Sequence, residues 1–401
     1  MDSVQPQKRI VILDVLRGFA ILGILVMNIQ SFAMPSASYE NPIIVEDFVG
    51  VDMLVWIACM IFANGKFMAI FSLLFGASVL LILDNAKKKG RRSGVLHYKR
   101  NFWLLIIGFF HAYIIWFGDI LVSYALCAFV LYLWRNASAK KLFISGICAF
   151  LVYAFLSVLL HAVFLQMSED DLIAAGLDES TVYQEQQMET RIWQQGSWQE
   201  QFALRAEYSL AMQTIMFVLY TLWYGLGWML IGMSIYRSGF LRGEKSKNYY
   251  LRFLLYGAIC GITAISFGII CNLEQGFSLE YSGTIGTLWN FFGTIPLVFS
   301  YVALIILWCK SSVFHKFRNS LACVGRMSLT NYLSQSLICS VIFYYFGMFG
   351  KLARWEQCIV VVLIWSVQII FSQLWLRKFS FGPCERVWRY LTYDFRLIRK
   401  N

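Results

Sequence analysis

The chain has 401 residues and is 59% hydrophobic, 17% aromatic and only 14% charged, where soluble domains carry roughly 25% charge. With a mean hydropathy of +0.61, this composition excludes disordered and collagen-like chains. The net charge of +11 does not indicate a nucleic-acid partner, because the basic residues stand in short clusters between long apolar runs.

The remaining class is all-α, a polytopic integral membrane helix bundle. Ten segments reach or approach the roughly 20 apolar residues a crossing needs. They are 11–33, 66–84, 101–118, 120–134, 142–165, 208–235, 250–271, 286–309, 321–348 and 356–376. Segment 50–64 carries Asp52 and ends at Asn64-Gly65-Lys66, which reads as an interfacial or re-entrant helix. An insertion at 166–207 holds Glu169-Asp170-Asp171 and is rich in Gln and Trp, which predicts short amphipathic helices over the outer face. It separates a five-span half at 1–165 from a second at 208–376. A basic, aromatic tail at 377–401, with Trp388, Tyr390 and Tyr393 among Arg386, Arg389 and Arg396, suits a helix on the inner leaflet.

Charge sets the orientation. With both termini cytoplasmic, 28 of the 34 Lys and Arg fall on the inner side. The basic balance then indicates a bilayer with an anionic inner leaflet as partner, and no nucleic acid. No cleavable signal peptide is expected, since the first apolar run lacks a small-residue cleavage pattern and continues into a span. The ten Cys are scattered without CxxC or zinc-type spacing, so neither disulfides nor a metal site is predicted.

Ionisable and amide side chains inside spans are expensive, which makes them candidates for function. Asp14 and Arg17 share a helix face; they form either a self-neutralising pair or a grip for phosphate or carboxylate. Asn28 follows on the same helix. Lys66 after Gly65 is expected to snorkel outward. His111 lies in the outer half of its span and Asp119 beyond a break at Gly118. Together they make a proton-accepting pair, or separately a packing histidine and a helix cap. Tyr113 stands close by. Arg326, Asn331 and Gln335 crowd the entrance of a late span, lining a polar inner cavity or joining helices. His97 and His315 read as solvated inner-loop residues, and His161 as structural. Walker, HExxH, GxSxG and GxGxxG patterns are absent.

Several motifs occur together: Leu13-Asp14-x-Leu16-Arg17-Gly18 with Asn28, Lys66-Phe67 before Phe71-Ser72-Leu73-Leu74-Phe75-Gly76, and His111 through Gly118-Asp119-Ile120-Leu121. Gly325-Arg326-Met327 through Thr330-Asn331-Tyr332 follows, then Gly382-Pro383-x-Glu385-x-x-Trp388-Arg389. In this order they resemble the YeiB-like family of bacterial multi-pass membrane proteins, which carries a domain of unknown function numbered 418. That family is similar to a wider group of transmembrane acyltransferases, including the lysosomal heparan-glucosaminide acetyltransferase and sugar O-acetylating enzymes of bacterial envelopes.

The resemblance implies a protein of the bacterial cytoplasmic (inner) membrane. It would take an acyl group from cytoplasmic acyl-CoA, as a donor substrate without a tightly bound cofactor, and pass it to a hydroxyl or amine acceptor such as an envelope glycan or lipid. On that expectation His111 is the catalytic base with Asp119 stabilising its imidazolium, and Asn28 or Tyr113 donates to the oxyanion. Arg17 and Arg326 hold the nucleotide end. The competing class is a transporter or channel with a polar midplane cavity, since buried charges and broken helices fit both.

Overall fold

The computed structural model describes residues 11–39, 41–44 and 48–393. The basic residues before Val11 and after Tyr393, Arg396 among them, lie outside the described residues. No strand occurs among the described residues.

The first helix, α1 (Val11–Ala33), is apolar along most of its length. After two 3-10 turns come α2 (Gly50–Phe62) and α3 (Lys66–Lys88), separated by Gly65 at φ 79°. That left-handed conformation suits glycine and ends α2. Next is α4 (Ser93–Phe110), which continues as a π turn at His111–Ile115 and then unwinds until α5 (Leu121–Leu131). The first half closes with α6 (Ala139–Phe164).

The insertion forms α7 (Glu169–Ala174), α8 (Glu179–Gln195) and the start of α9 (Trp198–Gln213). Ser168, Asp178 and Ser197 cap these three helices, as short polar side chains at such positions do. A π turn at Phe217–Thr221 leads into α10 (Leu222–Arg237), followed by α11 (Lys247–Glu274). A third π turn at Tyr281–Ile285 opens α12 (Gly286–Lys310). The chain then forms α13 (His315–Arg326), α14 (Ser328–Ser340), α15 (Arg354–Lys378) and α16 (Pro383–Thr392).

Seven helices among the described residues are long and apolar enough to cross a membrane: α1, α2 with α3, α6, α9 with α10, α11, the π turn with α12, and α15. The other expected crossings fall on helices interrupted inside their apolar runs, by the unwound residues after Ile115 and by a break at Met327. At 13 residues α2 is about 20 Å long, too short to span alone.

The helices pack through glycines, as membrane helices do where backbones approach closely. Gly18 on α1 lies against the backbone of Leu321 on α13, and Gly325 against the backbone of Asp14. Gly76 on α3 and Gly232 on α10 make the same reciprocal contact with Met229 and Leu73. These crossings compact the end where α1 begins. At the opposite end, Phe32 stacks on Trp116 and Trp193 of α8 stacks on Tyr344, each pair 4.1 Å apart.

Two expectations change here. Lys66 does not snorkel: it is fully buried. His97 is not solvated: it is 3% exposed, and its Nε2 lies 2.7 Å from the Ala128 carbonyl oxygen. The C-terminal α16, expected on the inner leaflet, has one face docked on protein. Trp388 Nε1 donates to the Arg100 carbonyl at 2.9 Å, with the Arg100 guanidinium over its ring. The Glu385 carboxylate accepts from the Leu329 and Thr330 amides at 2.6 and 3.1 Å, capping the start of α14.

The insertion is held down by Glu189, which accepts from the Ser36 amide and hydroxyl at 2.9 Å each. Burial raises its pKa above the ordinary 4.5, outweighing the hydrogen bonds from Ser36. A raised carboxyl pKa binds protons more tightly in the folded state. Its stabilising contribution is therefore full below 4.5 and fades as pH rises through the raised value. Asp178, which caps α8, is held down at about 2 chiefly by the Ser180 hydroxyl and stays ionised throughout that window. With the intrinsic base-catalysed rate divided out, amide protection across residues 179–195 is expected to fall as pH rises from 4.5 toward neutrality. In Glu189→Gln that dependence flattens; an unchanged slope there would assign it to another group.

Candidate functional site

The broken segments converge on one cavity of about 570 Å³, within the size range of small-molecule sites. Asn64 and Gly65 border it from the α2–α3 break, and residues 116–120 from the α4–α5 break. The π turns contribute Tyr220, Thr221, Ser282 and Gly283; such turns often mark functional positions. Ile24, Ser123 and Tyr224 border its depth, and Ser36, Tyr39, Met212 and Phe277 its other end, beside the α8 insertion. Beneath it the Ser72 and Tyr124 hydroxyls meet at 2.5 Å, both fully buried, and the glycine crossings close the bundle. The cavity therefore belongs to the α8 half.

His111 and Asp119 meet. The π turn carries His111 and the unwound segment returns Asp119 toward it, so that His111 Nδ1 lies 2.7 Å from Asp119 Oδ2. The second carboxylate oxygen accepts from the Val122 amide at 2.8 Å, capping α5. Both side chains are essentially inaccessible, at 0% and 1%. With the carboxylate as acceptor, Nδ1 carries the proton, and Nε2 has no partner among the described residues. Among the described residues Asp119 is the one acidic or basic residue bordering the cavity; His111 stands behind it. The arrangement differs from a base facing its substrate directly: the histidine reaches the cavity by way of the carboxylate's segment.

Lys66 turns away from the cavity into protein. Its Nζ donates to the Met60 carbonyl at 2.7 Å and to Asn290 Oδ1 at 2.6 Å. Asn290 and Thr294, one turn apart on α12, both border the cavity. Neither stands out in sequence, although two polar residues at this spacing within an apolar run are a recognisable signal.

The remaining candidates separate clearly. Asn28 borders the cavity. Tyr113 does not, and its hydroxyl donates to Gln213 at 3.3 Å. Asn331 and Gln335 are buried between helices rather than lining a cavity. Asn331 Nδ2 donates to the Val324 carbonyl and Ser372, and Gln335 Nε2 to the Ile21 carbonyl and Gln368. Such amides join helices where no water can satisfy them. Arg17 donates to Asp14 at 3.1 Å and to Ser78 at 2.7 Å, at the end remote from the cavity. Arg326 Nη2 donates to the Ser380 carbonyl at that same end. His161 Nδ1 lies near the Glu280 carbonyl oxygen and the Thr284 hydroxyl, a structural position.

Residues 235–394 match the family model described as "Protein of unknown function (DUF418)". The chain is 34% identical over 401 residues to the "Uncharacterized protein YeiB" of Escherichia coli (strain K12), covering 96% of each. It is 31% identical over 417 residues to the "Uncharacterized protein YxaH" of Bacillus subtilis (strain 168), covering 98% of this chain and 97% of the relative.

Proposed function

The chain belongs to the YeiB-like, DUF418 family of membrane proteins, and from that premise we propose that it is an acyltransferase of the bacterial cytoplasmic membrane. It crosses the membrane ten times, in two five-span halves with cytoplasmic termini, and moves an acyl group from cytoplasmic acyl-CoA to a hydroxyl or amine acceptor. The observation that carries this reading is the buried His111–Asp119 pair in the wall of the cavity. The acceptor hydroxyl attacks the thioester carbonyl carbon as its proton passes to the pair, Asp119 stabilising the imidazolium. The new C–O bond forms, the C–S bond breaks, and the proton returns to the CoA thiolate. Asn28 is available to the oxyanion.

At the opposite end Arg17 and Arg389 both lie near enough to Arg100 to act on it as like charges, a basic group suited to nucleotide phosphates. An acyl chain from that end has to part the packing around Ser72 and Tyr124 to reach the cavity. Release of CoA thiol from acetyl-, butyryl- and palmitoyl-CoA, with glycerol or glucosamine as acceptor, tests the reading. His111→Ala is expected to be slower by about 10²-fold or more; transfer at the wild-type rate would defeat the mechanism.

The transport reading is favoured by one observation: the cavity is bordered by the breaks of two interrupted helices, α2–α3 and α4–α5. If no acyl-CoA raises the melting temperature of folded protein, with Arg17→Ala as control, solute flux into vesicles becomes the decisive measurement.

A further inference from the structure

The corner of the cavity at Gly65 holds hydrogen-bonding capacity that the protein does not use. Asn290 Oδ1 accepts from Lys66 at 2.6 Å. Lys66 Nζ donates to this oxygen and to the Met60 carbonyl, an arrangement that turns Asn290 Nδ2 the other way. Asn290 is half-buried on the cavity wall, and its Nδ2 has no partner among the described residues. Thr294, 1% exposed, borders the same cavity, and its hydroxyl has no partner among the described residues.

Both groups converge on Gly65. A Cβ there would lie 3.6 Å from Thr294 Oγ1 and 3.7 Å from Asn290 Nδ2. The nearby Tyr224 hydroxyl is already committed, donating to the Gly65 carbonyl at 2.8 Å. Lys66 has carbonyl and amide acceptors but no carboxylate in ion-pair contact among the described residues.

We propose that this corner binds the sp² oxygen of a ligand, a carbonyl or a carboxylate. Asn290 Nδ2 and Thr294 Oγ1 are the donors, and Lys66 is the positioning residue that fixes Asn290. The inference deepens the acyl-transfer reading and rests on it, adding to Asn28 two further donors for the acyl oxygen. Phe67, Phe291, Met60 and Met68 border the cavity and suit an attached hydrocarbon chain.

The test is thermal stabilisation of the purified full chain in detergent by butyrate, butyramide and butylammonium. Butyrate is expected to raise the melting temperature, and butylammonium is not. An equal effect of butyramide assigns the site to carbonyl groups, and its failure to carboxylates. Asn290→Asp keeps the Lys66 contact but removes the amide donor, and weakens binding about tenfold or more. Thr294→Val weakens it without lowering the unliganded melting temperature, since that hydroxyl has no partner to lose. In folded Lys66→Met the preference for the oxygen-bearing probes diminishes; an unchanged preference would overturn the positioning role. Stabilisation by neither oxygen-bearing probe, or equally in wild type, Asn290→Asp and Thr294→Val, overturns the site. Binding without acyl transfer would instead sink the catalytic reading and leave the site standing.

Discussion

Asp119→Ala is expected to destabilise the protein by about 3 kcal/mol or more, because two hydrogen bonds to a buried carboxylate are lost, each worth roughly 1.5–3 kcal/mol. The loss has two sources. His111 is left with neither ring nitrogen satisfied at a fully buried position, and the Val122 amide loses the carboxylate that caps α5. Asp119→Asn retains an acceptor for Val122 and is expected to fall between wild type and the alanine variant. Melting of detergent-purified protein, followed by size-exclusion chromatography, reads both. If Asp119→Ala melts with the wild type, the 2.7 Å contact is not part of the folded protein's stability, and the catalytic pair loses its basis.

The other large effect belongs to the crossing of α1 and α13. A Cβ on Gly18 falls on the Leu321 carbonyl, and one on Gly325 falls on the Asp14 carbonyl. These are backbone atoms, which cannot rotate aside, so Gly18→Val sits at or above the upper end of the roughly 1–3 kcal/mol typical of overpacking. The expected readout is loss of the monodisperse peak or a large fall in melting temperature. Gly225 is the control, because there the nearest atom is Cys127 Sγ at 3.8 Å. Gly225→Ala is expected to be neutral or to gain up to about 1 kcal/mol from helix propensity. Equal damage in both variants would mean that backbone contact is not what makes Gly18 sensitive.

What the sequence by itself determined is a multi-pass helical protein, the short polar-capped helices of the insertion, and the chain breaks at Asn64-Gly65 and around Gly118. These are local properties. Hydropathy over about 20 residues, a cap, or a glycine free to adopt positive φ needs no knowledge of the neighbouring helix. Charged and amide residues inside apolar runs likewise mark themselves by their cost, which singled out His111, Asp119, Lys66, Asn331 and Gln335.

Tertiary structure alone decided what each of them does. The cost of burial requires a partner but does not say which one. His111 found Asp119 eight residues away because a π turn and an unwound stretch return the chain. Lys66 found Asn290 on a helix more than 200 residues later, while Asn331 and Gln335 were absorbed into helix packing. Which way a side chain faces around its helix axis depends on the helices packed against it. Hydropathy averaged along the chain carries no information about that angle in helices apolar on every side.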